Sequence, residues 1–301
     1  MRQLALEAAP KAVLYGALLL AIGACMARWL LRARAPGSDD RGTDFERRLS
    51  RVLVVAAAFV TVAIALRAWT HTMAVFGLPD GLDWDRIQLV AFQSRWGGGW
   101  RLQALATSAL LASAFWVKLD RRTGWPVASL GAVVCCFTLP LLGHAAGSPR
   151  RLVLHAAHVL GAGVWLGTVA AVLMAGGSRA GPASGVLSDG QPSDVREFLL
   201  RRLSPIAFTG AAMVVAAGLV ASLTYVGSAR NLWTTPYGRL LTTKGVLFCG
   251  VIACGFLNWR RWSAGAAGGR SGESVGMVTI EILLAAAIVI VTAIFTELEH
   301  P

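Results

Sequence analysis

Charge is scarce in this chain. Of its 301 residues 15% are charged, where an ordinary globular domain has about 25%. The five cysteines, Cys25, Cys135, Cys136, Cys249 and Cys254, all lie in apolar stretches and form no CxxC pair. That argues against disulfides and zinc knuckles and leaves small buried hydrophobes or soft metal ligands. Alternating strand-like segments are missing, which argues against a membrane barrel. There is no GxxxxGK[ST], and no GxGxxG follows a strand, so no nucleotide site is read. Neither GxSxG nor HExxH occurs, and no enzyme is read. The net charge of +12 sits at segment ends, not along a soluble stripe with interleaved aromatics, so nucleic acid is not the expected partner either.

What the chain has is apolar length. Hydrophobic residues make up 55% of it, and the mean hydropathy is +0.60. Eight runs approach the roughly 20 residues needed to cross about 30 Å of hydrocarbon. They fall near 12–31, 52–70, 98–117, 125–142, 151–175, 203–226, 240–259 and 275–295. Lipid leaves the backbone no partners but its own, so each run is expected to be helical. The fold class predicted is all-α: a polytopic bundle of eight transmembrane helices in a lipid bilayer. No linker is long enough to hold a soluble domain, so 1–301 reads as one integral membrane domain, with its first four spans over 12–142. In the first run the positive residues Arg28, Arg32 and Arg34 follow the apolar core, which fits a retained span and not a signal peptide. The stretch 78–100 before the third run reads as a loop.

Orientation follows from lysine and arginine near the span ends. Loops one-to-two, three-to-four, five-to-six and seven-to-eight together carry about twice as many as the opposite side. Those loops are expected to be cytoplasmic and both termini periplasmic. All five histidines, His71, His144, His155, His158 and His300, then fall in the outer half.

Three of the five gather in the stretch 143–167, GHAAGSPRRLVLHAAHVLGAGVWLG. His155 and His158 are three apart on a helix, so they share a face with Cβ atoms about 5–6 Å apart. His144 precedes that helix by a short loop and can fold back over its end. Histidine within a span is costly, and is a functional signal by default. Two rings on one face and a third beside them suit a single metal ion; the ordinary reading is a pair hydrogen-bonded to neighbouring helices. His71, ending the second span, joins the site only if spans two and five pack together. Gly161, Gly163 and Gly167 present small residues, with a GxxxG between the last two, for close helix approach. Arg67 and Lys244 lie in the outer thirds of spans two and seven and are long enough to snorkel. Glu281, early in span eight, cannot reach as far and needs a partner or a proton.

At these residues the sequence resembles the copper resistance protein D (CopD) family of bacterial inner-membrane proteins. Residues 143–171 are similar to the family's histidine-rich helix with its W-x-G, here Trp165 and Gly167. Residues 235–248, TPYGRLLTTKGVLF, are similar to its Y-G-x-x-L-x-x-K segment. Residues 278–301 are similar to its last helix, with an early glutamate and a proline near the end. The CopD-like region is thus 143–301, and the first four spans match in hydropathy and number. The resemblance implies an eight-helix protein of copper uptake or homeostasis, beside a periplasmic copper-binding partner. Its matching positions are His144, His155, His158, Trp165, Lys244 and Glu281.

The function expected is copper handling at the inner membrane, with the metal held by His144, His155 and His158 and His71 as conditional fourth. Imidazole suits copper in either oxidation state. Cys135 and Cys136 in span four, with Cys249 and Cys254 in span seven, are candidate soft ligands further along. Met73, Met174 and Met213 are scattered and form no methionine-rich motif. The alternative is an electron-transfer protein with b-type haem on the same histidines, where Arg67 and Lys244 would pair with propionates.

Overall fold

The computed structural model describes residues 2–32, 40–77, 83–143, 147–176, 195–263 and 271–298. Every regular element among them is helical. The eight expected runs all fall on helices: α1 (Arg2–Leu31), α2 (Asp40–Phe76), α4 (Arg95–Leu119), α5 (Arg121–Thr138), α6 (Pro149–Ala162) continued by α7 (Thr168–Gly176), α8 (Val195–Tyr225), α10 (Pro236–Ser263) and α11 (Ser271–Phe295). Two short helices, α3 (Trp84–Gln88) and α9 (Asn231–Thr234), complete the order.

Seven of the described stretches are long and apolar enough to cross a membrane, the last being Pro236–Leu257. The chain is therefore an all-α, multi-pass membrane protein. The expected eighth span rests on α11. Its described apolar part is Thr279–Phe295, about 26 Å of helix against about 30 Å of hydrocarbon.

The structure differs from the sequence reading before α4, where it folds α3 and a π-helical turn, Leu89–Gln93, out of the expected loop. Local chemistry accounts for both. Asp83 caps α3 by accepting from Asp85 N at 3.1 Å, and Ser94 caps α4 by accepting from Gly97 N at 2.9 Å. Arg101 reaches back to donate to the carbonyls of Ala91 and Phe92 at 2.9 and 2.8 Å. The π turn's end is thereby satisfied by a side chain two turns into the next helix.

The helices gather into two compact units, Val13–Gly218 and Met1–Ala12 with Leu219–Pro301. The core of the first includes Leu18, Leu53, Val60, Leu110 and Val172, all fully buried. A polar clamp ties three of its helices: Arg28 Nε of α1 lies 2.7 Å from Glu46 Oε1 of α2, which also accepts from Trp125 Nε1 of α5 at 3.0 Å. Between α4 and α5 only Asp120 intervenes. It caps α5 by accepting from Arg122 N at 2.8 Å and from Thr123 Oγ1 at 2.5 Å. The Thr123 hydroxyl, then the Arg122 amide, hold its exposed carboxyl below the ordinary carboxylate range.

In the second unit α10 pairs with α11. Tyr237 stacks at a tilt on Phe295, ring centroids 4.3 Å apart, and Lys11 pairs with Glu297.

Candidate metal centre

Helix α6 opens with Pro149 in its first turn, where the missing N–H costs nothing. It carries His155 and His158 one turn apart, both half-buried. His158 is held from outside its own helix: Nδ1 lies 3.1 Å from the carbonyl oxygen of Val214 on α8. An N–H at Nδ1 donating to that carbonyl puts the lone pair on Nε2, the tautomer a metal needs, with the ring fixed as ligating histidines usually are. Gly218 flanks the same ring, 3.4 Å from Cε1 for a Cβ built there.

Just beyond, α6 passes into a π-helical turn, Gly163–Gly167, before α7. Such turns often accompany functional sites. Here the turn coincides with close helix contacts at its glycines. A Cβ on Gly23 of α1 would stand 2.0 Å from the carbonyl of Gly167, and one on Gly161 would stand 2.8 Å from Gly210 O of α8. The GxxxG thus does what the spacing predicts and lets α1 touch span five at backbone distance, while Gly161 admits α8. Trp165, 6% exposed, closes this contact against Gly210.

His144 and His300 lie outside the described residues. Among the described residues no three His, Cys, Asp or Glu side chains gather as a metal-holding group. His71 sits elsewhere in the first unit. Its ring stacks on Trp96 at 4.1 Å and 17°, in a cleft of about 360 Å³ lined also by Val75, Phe76, Leu89 and Ser94. No residue of span five lines that cleft. Spans two and five do pack, through α2 and α7, where Arg48 donates to Gly176 O at 3.4 Å.

The other candidates are dispersed. Arg67, 7% exposed, donates to Gln103 Oε1 at 3.4 Å; a bond inside the unit takes the place of snorkelling. Cys135 and Cys136 are buried in α5, and Cys136 Sγ donates to Ala132 O at 3.3 Å. Lys244 and Glu281 belong to the second unit. The Lys244 ammonium lies 5.9 Å from the centroid of the Phe295 ring, a cation–π distance, and Glu281 is 4% exposed on α11. Sequence reasoning missed Val214, Gln103 and Trp96. A main-chain carbonyl carries no signal in sequence, but Trp96 and Gln103 belong to one face of α4 by their spacing.

Two family descriptions match the chain: copper resistance protein D-like, N-terminal domain, over residues 2–150, and copper resistance protein D, over residues 198–295. His155, His158 and Trp165 fall between the two matches. The chain is 26% identical over 313 residues to the copper transport protein CutJ of Bacillus subtilis (strain 168), covering 98% of this chain and 53% of that protein. It thus spans about half the length of the curated relative it matches. No solved structure matches.

Proposed function

Because the chain belongs to the copper resistance protein D family, we propose that it moves copper across, or keeps it in balance at, a bacterial inner membrane. The ion is taken near the periplasmic face by His155 and His158 on one face of α6, with His144 as the third ligand from the preceding loop. One observation carries this: the Val214 carbonyl holds His158 Nδ1, turning Nε2 into the metal-ready nitrogen. His71, stacked on Trp96 in a cleft that span five does not line, is left out of this ligand set.

In this reading α11 is the eighth span, and both ends of the eight-span domain lie on the periplasmic side, where a copper-binding protein can hand over the ion. Cys135 and Cys136 are soft donors further in. Lys244 and Glu281 shape the α10–α11 pair, Glu281 as a buried acid beside the path. Copper is cargo here, not a reactant, so no catalytic step is assigned.

The test is copper accumulation in cells expressing the wild type or the His155→Ala, His158→Ala double variant at equal membrane levels. The proposal predicts that the double variant falls to the level of cells without the protein. Accumulation equal to the wild type would overturn it.

A further inference from the structure

The histidine pair supplies two nitrogens and, in the reading above, His144 a third, which leaves room for a further donor. Span five and α8 meet in a definite register that places a candidate. Trp165 and Gly161 both face Gly210; Gly161 also faces Met213; His158 faces Val214 and Gly218. A Cβ on Gly161 would stand only 2.9 Å from the Cβ of Met213. Met213 therefore starts against α6 at Gly161, three residues or about 4.5 Å of rise from His158. Its sulfur lies two bonds beyond Cβ on an unbranched chain with free rotation. With a metal–sulfur bond of about 2.3 Å, two bonds beyond Cβ give a reach comparable to that offset along the helix. Met213 is half-buried, and its neighbour Val214 is the residue that orients the His158 ring.

We propose that Met213 is a thioether ligand completing the site with His155 and His158, so that the protein takes copper as copper(I). This rests on the histidine reading above and adds to it a sulfur donor beside the imidazoles and the oxidation state. A thioether is a soft donor that suits copper(I), whereas zinc draws on thiolate, imidazole and carboxylate. Imidazoles joined by one thioether therefore select a soft monovalent ion, with silver(I) as its mimic. The three scattered methionines need no sequence motif for this, because the fold itself carries one of them to the histidine face.

The test uses the purified full chain in detergent, titrated separately with copper(I), silver(I) and zinc(II). Met213→Leu keeps the volume nearly constant, so the fold is retained. It should weaken copper(I) and silver(I) by at least about tenfold, the low end of what losing even an outer partner costs, and leave zinc(II) unchanged. Wild-type copper(I) affinity in Met213→Leu, with binding lost in the double histidine variant, would overturn the thioether ligand and leave the histidine reading standing. Undiminished copper(I) affinity in the double histidine variant would overturn both. A second measurement needs no variant: in selenomethionine-labelled wild-type chain, X-ray absorption at the copper edge should show a selenium neighbour. Nitrogen neighbours alone would overturn the proposal.

Discussion

Glu46 carries more of the first unit's polar stability than its place near the start of α2 suggests. One oxygen serves Arg28 Nε at 2.7 Å and Trp125 Nε1 at 3.0 Å, so three helices meet at one atom. The side chains of Arg28 and Glu46 are 16% and 13% exposed, and Trp125 is 2% exposed. Glu46→Ala leaves a guanidinium and an indole N–H with no acceptor at that point. Breaking a buried pair costs about 3–5 kcal/mol, and residual exposure screens this toward the lower end. The orphaned indole adds about 1 kcal/mol, so the expected loss is about 3–4 kcal/mol. Glu46→Gln keeps one acceptor and drops the charge, and should lose about half as much. Trp125→Phe removes one hydrogen bond to a charged group, about 1.5–3 kcal/mol. The assay is reversible unfolding in mixed micelles, closed as a double-mutant cycle between Glu46→Gln and Trp125→Phe. A Glu46→Ala variant within about 0.5 kcal/mol of the wild type, the range of an ordinary surface substitution, would refute the clamp.

The glycine contact gives a second expectation. Gly23→Leu should cost about 1–3 kcal/mol or more by overpacking, because its Cβ would meet the Gly167 carbonyl at 2.0 Å. Gly245→Ala, with nothing within 4 Å, should be harmless in the same unfolding assay. Asp120 gives a pH dependence. Its folded carboxyl is held below the ordinary range, so its stabilisation is fully present above about pH 4 and is lost as pH falls through the folded value. The difference in unfolding midpoint between wild type and Asp120→Ala should shrink on acidification; a constant difference would contradict the cap. For topology, reporters active only in the cytoplasm should respond when fused within 177–194, and stay silent when fused after residue 298. A response after 298 would leave seven spans and remove α11 from the count.

The spans were legible because hydrocarbon thickness imposes a length and composition that no other local rule competes with. The shared face of His155 and His158 was legible from a spacing of three. What escaped was whatever depends on a partner distant in the chain. The Val214 carbonyl lies 56 residues from His158. Gln103, which takes the Arg67 guanidinium, lies 36 residues away. The π turn before α4 escaped too, because Arg101 stabilises it from outside the segment. The glycines of span five were read correctly as packing surface, but not which helices they admit.

The central claim is that His155 and His158 bind copper, and copper bound per purified chain tests it most directly. Wild type and the double alanine variant would be loaded identically, passed through a desalting column and analysed for metal, with unfolding midpoints measured to show that both are folded. The account predicts copper retained by the wild type and lost from a folded double variant. Equal copper in both would contradict it.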